Sequence, residues 1–158
     1  MGVHLLSDAS EYALRAVVCL ARHEGESLTA ESIAERTRCT YGHLARVLHL
    51  LRRAKIVHGK RGVAGGYTLL SDPSTLTVLD VINLVDPIER ITTCPLGLAE
   101  HSEALCALHA CIDDAIERIH TTFSQMTIAD IVGGPSPRSP LCDLTTGVTD
   151  AAMARGSS

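Results

Sequence analysis

Three cysteines, Cys94, Cys106 and Cys111, fall within eighteen residues of one another, and His109 follows the second of them by three positions. Thiolates and imidazoles in such a group can hold a metal or a metal cluster. Thiolates are soft, anionic ligands that suit zinc, copper(I) or iron–sulfur centres. The spacing is uneven, with eleven residues between Cys94 and Cys106 but only four between Cys106 and Cys111. Five helical steps would set the last two thiols about 140° apart, so they converge only if Cys106 precedes the helix. A hydrolase built on His101, His109 and a cysteine is the competing chemistry. It lacks a nucleophile–base pair and a rigid pocket, so the chain is read as no enzyme.

The element that must carry these residues is a long helix. Leu105, Leu108, Ile112, Ile116, Ile119, Phe123 and Met126 recur at alternating steps of three and four, with Asp113, Asp114, Glu117 and Arg118 elsewhere on the helix. So narrow a seam is the pattern of a coiled-coil-like contact, and a second copy of the same helix gives a two-fold homodimer. Packing onto its own domain is the alternative.

The first sixty residues decide what such a centre would serve. Ten Lys and Arg stand against six Asp and Glu up to Arg61, and four against twelve beyond it, within a net charge of −4. A basic front half with an acidic back half suits a nucleic-acid-binding part joined to an assembly or sensing part. Helix one is expected from about Ser7 or Asp8, with Asp8 and Glu11 resembling a capping box, to His23-Glu24-Gly25. Thr29 can cap a short helix two, Arg36 to Thr40 make a turn, and Thr40 can cap helix three. In helix three Leu44, Val47, Leu48 and Leu51 form an apolar stripe, opposite Tyr41, His43, Arg46, His49, Arg52 and Arg53. Two short helices and a tight turn, the second helix basic outside, describe a helix-turn-helix.

A strand at Lys55–His58, a glycine-rich loop from Gly59 to Gly66 and a returning strand at Tyr67–Leu70 then form a wing. Thr40, Tyr41, His43 and Arg46 are the candidates for reaching bases. Arg52, Arg53, Lys60 and Arg61 are candidates for phosphates or the minor groove. No helix start and no Gly-Lys-Ser/Thr ending follow the glycines, which excludes a nucleotide-binding P-loop.

With 46% apolar residues but no Trp, one Phe and three Tyr, the core must be aliphatic, which favours helices. The expected fold is mainly α with a small β-hairpin wing: a winged helix-turn-helix domain over 1–86, a cysteine loop and long dimerisation helix over 87–132, and a flexible tail over 133–158. No segment is long enough to span a membrane and no signal core opens the chain, so a cytoplasmic protein is expected. In that compartment the six cysteines are reduced, metal-bound or redox-sensing rather than paired. Cys19 is expected in the core and Cys142 is incidental.

Several motifs, in order, carry a resemblance. They are Glu11-Tyr12-Ala13-Leu14-Arg15; Ile33-Ala34-Glu35 with Gly42-His43-Leu44; Gly62-Val63-Ala64-Gly65-Gly66-Tyr67-Thr68-Leu69; Leu79-Asp80-Val81-Ile82; and the cysteine loop. From about Leu5 to Val132 the chain resembles the IscR/NsrR/RirA-like regulators of the Rrf2 superfamily, bacterial winged-helix transcription factors, many of which carry an iron–sulfur cluster. The resemblance implies a homodimer on double-stranded DNA at a pseudo-palindromic operator, most simply as a repressor. The signal would be nitric oxide, redox state or iron, read through a cluster that bridges the protomers. It also implies a non-cysteine ligand, which falls either on Glu11 near the start of helix one or on His109.

The family commonly spaces its loop cysteines more evenly than this chain does, and two ligand sets follow. In the preferred one, Cys94, Cys106 and Cys111 bind a four-iron cluster completed by Glu11 of the partner subunit. In the other, Cys94 and Cys106 bind a two-iron cluster with His109 or Glu11, and Cys111 merely packs. The alternative function is a winged-helix regulator with a clusterless thiol switch or a zinc site.

Overall fold

The computed structural model describes residues 5–62, 65–97 and 104–134. The expected tail beyond 134, Cys142, His101 and the wing residues Val63 and Ala64 lie outside the described residues. The architecture is mainly α with one two-stranded hairpin. Helix α1 (Asp8–Arg22) starts at Ser7, whose hydroxyl oxygen accepts the Ser10 N–H at 3.3 Å. The cap is therefore Ser7 and not an Asp8–Glu11 box, because the Glu11 carboxylate is engaged by Arg15 one turn along.

Helix α2 (Ala30–Thr37) is capped by Thr29 as its sequence indicates. It runs to Thr37, further into the expected turn, and reverses at Arg38, which takes a left-handed φ of 53°. That single residue brings the Cys39 N–H to the Ala34 carbonyl at 3.0 Å and sets the angle into α3 (Tyr41–Arg53). Thr40 occupies the N-cap of α3, although its side chain makes no capping bond.

Leu44, Val47, Leu48 and Leu51 are all buried, and they face α1, which passes through the middle of the core with Ala13, Ala16, Val17 and Leu20. Ile33, Val81 and Ile128 close the same cluster from α2, α4 (Val78–Val85) and α6 (Ile128–Gly133). Burial at this level is what holds the outer face of α3 at a fixed angle, since each such side chain stabilises by roughly 1.5–3 kcal/mol.

The wing begins two residues later than the sequence suggests. Lys55 has a left-handed φ of 62° and belongs to the turn leaving α3, so β1 runs Val57–Lys60 and pairs with β2 (Gly66–Leu69) from Val57↔Leu69 to Lys60↔Gly66. Leu28 and Tyr67 exchange backbone bonds of 3.0 and 2.7 Å, pinning the hairpin to the entry of α2. Gly66 is required there. A Cβ at that position would stand 2.6 Å from Ser27 Oγ and 2.7 Å from the Leu28 carbonyl oxygen.

Helix α4 (Val78–Val85) carries a full capping box between Thr77 and Asp80, and α6 (Ile128–Gly133) repeats it with Thr127 and Asp130. The two starts lie side by side: the Val78 N–H donates to the Met126 carbonyl and the Ile128 N–H to the Leu76 carbonyl, both at 2.9 Å. Between them the chain leaves the core as a loop and α5 (Ala107–Gln125). No residue of α5 is buried. Its seam is open toward the amino end, with Leu108 63% and Ile112 41% exposed, whereas Ile116, Ile119 and Phe123 are half-buried and Leu105 and Met126 flank the helix. Among the described residues, no helix is long and apolar enough to cross a membrane.

Candidate functional site

Two surfaces carry the residues singled out by the sequence. On the first, α3 turns Tyr41, His43, Arg46, Arg52 and Arg53 outward, and Lys60 and Arg61 project from the end of β1. A groove of about 580 Å³ runs between Tyr41, His49 and Arg52 on one side and Lys60, Arg61 and Gly62 on the other. Its cations come from α3 and the end of β1, and the Leu28–Tyr67 bridge ties the hairpin to the entry of α2. Thr40 is exposed at the head of α3. His43 and Arg46 look to the other side of α3, where they line a smaller hollow with Asp8 and Val85. The His43 ring faces Tyr12 of α1, centroids 6.1 Å apart.

The second surface is the head of α5. Cys106 is the N-cap of that helix and His109 sits one turn in. The Cys94 sulfur lies 3.9 Å from that of Cys106, and His109 Nδ1 is 3.5 Å from the first sulfur and 3.2 Å from the second. Proximity to the His109 backbone N–H, and then to its ring, lowers the Cys106 thiol to about 7. A cysteine at a helix N-terminus gains thiolate character in this way.

Cys94 reaches this place because its loop is strapped to α5. Arg90 donates through Nε and Nη2 to the two oxygens of Asp113, at 2.7 and 2.6 Å. The Ile91 N–H donates to Asp113 at 2.9 Å, and His120 Nε2 bonds the Ile88 carbonyl at 2.6 Å. The hydrogen bonds from Arg90 hold the Asp113 carboxyl down at about 2. The sequence gives no hint of this strap, since its partners lie 22 to 32 residues apart.

The structure thus gathers Cys94, Cys106 and His109. Cys106 does precede the helix, yet Cys111 is exposed and stands outside the group. Glu11 lies on α1, with its Oε1 2.8 Å from Arg15 Nη2. The donor types suit zinc or iron. One tetrahedral ion, with metal–sulfur near 2.3 Å and metal–nitrogen near 2.0–2.1 Å, separates two sulfurs by about 3.8 Å and a sulfur from a nitrogen by about 3.6 Å. The Cys94–Cys106 and Cys94–His109 distances fit that arrangement, and the Cys106–His109 pair at 3.2 Å is closer than it requires. A four-iron cluster gives each thiolate its own iron and so holds the sulfurs further apart, which the trio as it stands does not match.

The profile of the Rrf2 family, described as "Iron-dependent Transcriptional regulator", matches residues 6–134. The chain belongs to the Rrf2 family of transcriptional regulators. Among Rrf2 relatives, the HTH-type transcriptional regulator IscR of Yersinia enterocolitica is 29% identical over 128 residues, covering 80% of this chain and 78% of its own. Two solved Rrf2-type structures share the fold. T. potens IscR has a TM-score of 0.66 at 24% identity, covering 81% of this chain and 85% of its own. CymR, the global cysteine regulator of B. subtilis, has a TM-score of 0.66 at 23% identity, covering 81% and 95%. The Rrf2 relatives are transcriptional regulators, not enzymes.

Proposed function

We propose that the protein is a homodimeric DNA-binding repressor whose hold on a pseudo-palindromic operator is set by the state of the centre formed by Cys94, Cys106 and His109. The observation that carries this reading is the location of the trio. It sits at the head of the same helix whose seam leaves Leu108 and Ile112 exposed, so the sensing group and the proposed dimer contact share one rigid element. A change at the trio alters how α5 meets its twin and hence the distance between the two α3 helices, which a two-site operator measures.

Within each protomer, α3 would enter the major groove with Thr40, Tyr41, His43 and Arg46 near base edges. Arg52, Arg53, Lys60 and Arg61 would hold phosphates or the adjoining minor groove. The family description and the donor set favour iron as the occupant, with iron supply, redox state or nitric oxide as the proposed signal. An iron–sulfur cluster held by Cys94, Cys106 and His109 would supply a redox-active centre that such a signal dismantles, with Glu11 as the further ligand that the resemblance implies. The second reading, a clusterless or zinc-holding thiol switch, is favoured by the CymR likeness and by the lowered Cys106 thiol.

The test is an anaerobic gel-shift on operator fragments selected from genomic DNA, before and after chelation or oxidation. A shift in affinity that Cys94→Ser and Cys106→Ser abolish supports the proposal. Equal binding in every state rejects it.

A further inference from the structure

Helix α3 offers the groove beside the wing one basic side chain that is neither arginine nor lysine. Tyr41, Ala45, His49 and Arg52 recur at steps of four, four and three, which places them in one stripe along the helix, and all four line that groove. At about 100° per residue, His49 stands within about 30° of the line directly opposite the buried stripe of Leu44, Val47, Leu48 and Leu51. It is exposed, and it sits in the carboxyl-terminal half of α3, one turn short of Arg52.

The groove around it suits a polyanion. Lys60 and Arg61 face it from the end of β1 and Arg52 from α3. Glu31, at the start of α2, is the one acid among the described residues that line it, and Tyr41 and Tyr67 add phenols from α3 and β2. Gly59, Gly62 and Gly65 keep the wing side of the groove free of bulky side chains. Between about pH 6 and 8 ordinary carboxylates, phenols, lysine and arginine keep their charge, whereas imidazole changes its own. Among the described residues lining the groove, histidine is therefore the one residue type that titrates in that window.

We infer that the groove seats one sugar–phosphate strand of the duplex and that His49, as imidazolium, donates to a phosphate oxygen of that strand beside Arg52 and the wing. This rests on the reading of the chain as a DNA-binding regulator and adds to it a contact and a response to pH. Neutral imidazole can donate a hydrogen bond but brings no charge to the strand, and imidazolium adds one cation per protomer. DNA binding is thus coupled to the uptake of one proton from solvent per protomer, and affinity rises as pH falls.

The test is fluorescence anisotropy of the full-length dimer on a selected operator and on an unrelated duplex, over a salt series at about pH 6 and about pH 8. Wild type should bind both duplexes more tightly at the lower pH, by on the order of tenfold per protomer, as a hydrogen bond that gains charge implies. The slope of log affinity against log salt should steepen there by up to about 1.8, two added cations at about 0.9 each. His49→Gln should lose both changes, and His49→Arg should bind tightly at both pH values. His43→Gln and His58→Gln should keep the pH dependence. The Cys106 thiol, at about 7, titrates in the same range, so each variant is compared with wild type at equal pH and with the centre in the same state. Wild-type affinity that does not move with pH, a response that survives His49→Gln, or one confined to the operator would overturn the inference. Affinity set by the centre with no pH response would sink this inference alone. A response carried by His49 with no dependence on the centre would sink the proposed regulation alone, and failure to bind DNA at either pH would sink both.

Discussion

Replacing Lys60 and Arg61 together by alanine should change how DNA binding responds to salt more than it changes anything else. Both side chains are exposed at the end of β1, beside the groove lined by Arg52 of α3, and no core contact depends on them. Each cation that neutralises a phosphate contributes about 0.9 to the slope of log affinity against log salt. Two per protomer, and hence four in a dimer, should flatten the slope by about 3.6. Between about 50 and 200 mM salt, wild type should then lose roughly a hundredfold more affinity than the variant. Fluorescence anisotropy on a selected operator and on an unrelated duplex measures both slopes. The variant should weaken on both DNAs alike, because phosphates carry no sequence. An unchanged slope, or a loss confined to the operator, would refute the placement of the wing on the backbone.

Ile112→Asp on the open seam of α5 should convert a dimer to monomers in sedimentation velocity without unfolding the core, since Ile112 is 41% exposed. Leu48→Ala removes a side chain with no exposed surface and should cost about 3 kcal/mol in urea unfolding, with DNA affinity following stability. Gly66→Ala should break the bridge between Leu28 and Tyr67, visible as faster amide exchange in the wing. Asp113 is held at about 2, below the ordinary carboxylate range, by its bonds from Arg90, so its contribution is full above the unfolded value and fades as pH falls. The stability difference between wild type and Asp113→Asn should therefore be constant above about pH 5 and disappear as the pH approaches about 2.

Helices bounded by side-chain chemistry were legible in the sequence. Thr29 caps the helix that follows, and the stripe of Leu44, Val47, Leu48 and Leu51 gives α3 its buried and outward faces. Errors came where backbone conformation departs from what residue type suggests. Lys55 and Arg38 adopt left-handed φ values that nothing about lysine or arginine announces, and this moved β1 and the end of α2.

The site was legible in its residue types but not in its grouping. Cys94, Cys106 and His109 were all candidates, yet their convergence depends on the strap of Arg90, Ile91 and His120 onto partners far along the chain. The same holds for the groove beside the wing. Its far wall includes Thr29 and Glu31 at the entry of α2, brought there by the Leu28–Tyr67 pairing rather than by any local pattern.

The most direct measurement is the dissociation constant of the dimer for a selected operator, taken anaerobically with the Cys94–Cys106–His109 centre filled and then emptied by chelation. The account predicts that the two constants differ clearly, and that the difference vanishes in Cys106→Ser while binding to nonspecific DNA stays the same. Identical constants for filled and emptied wild-type protein would contradict it.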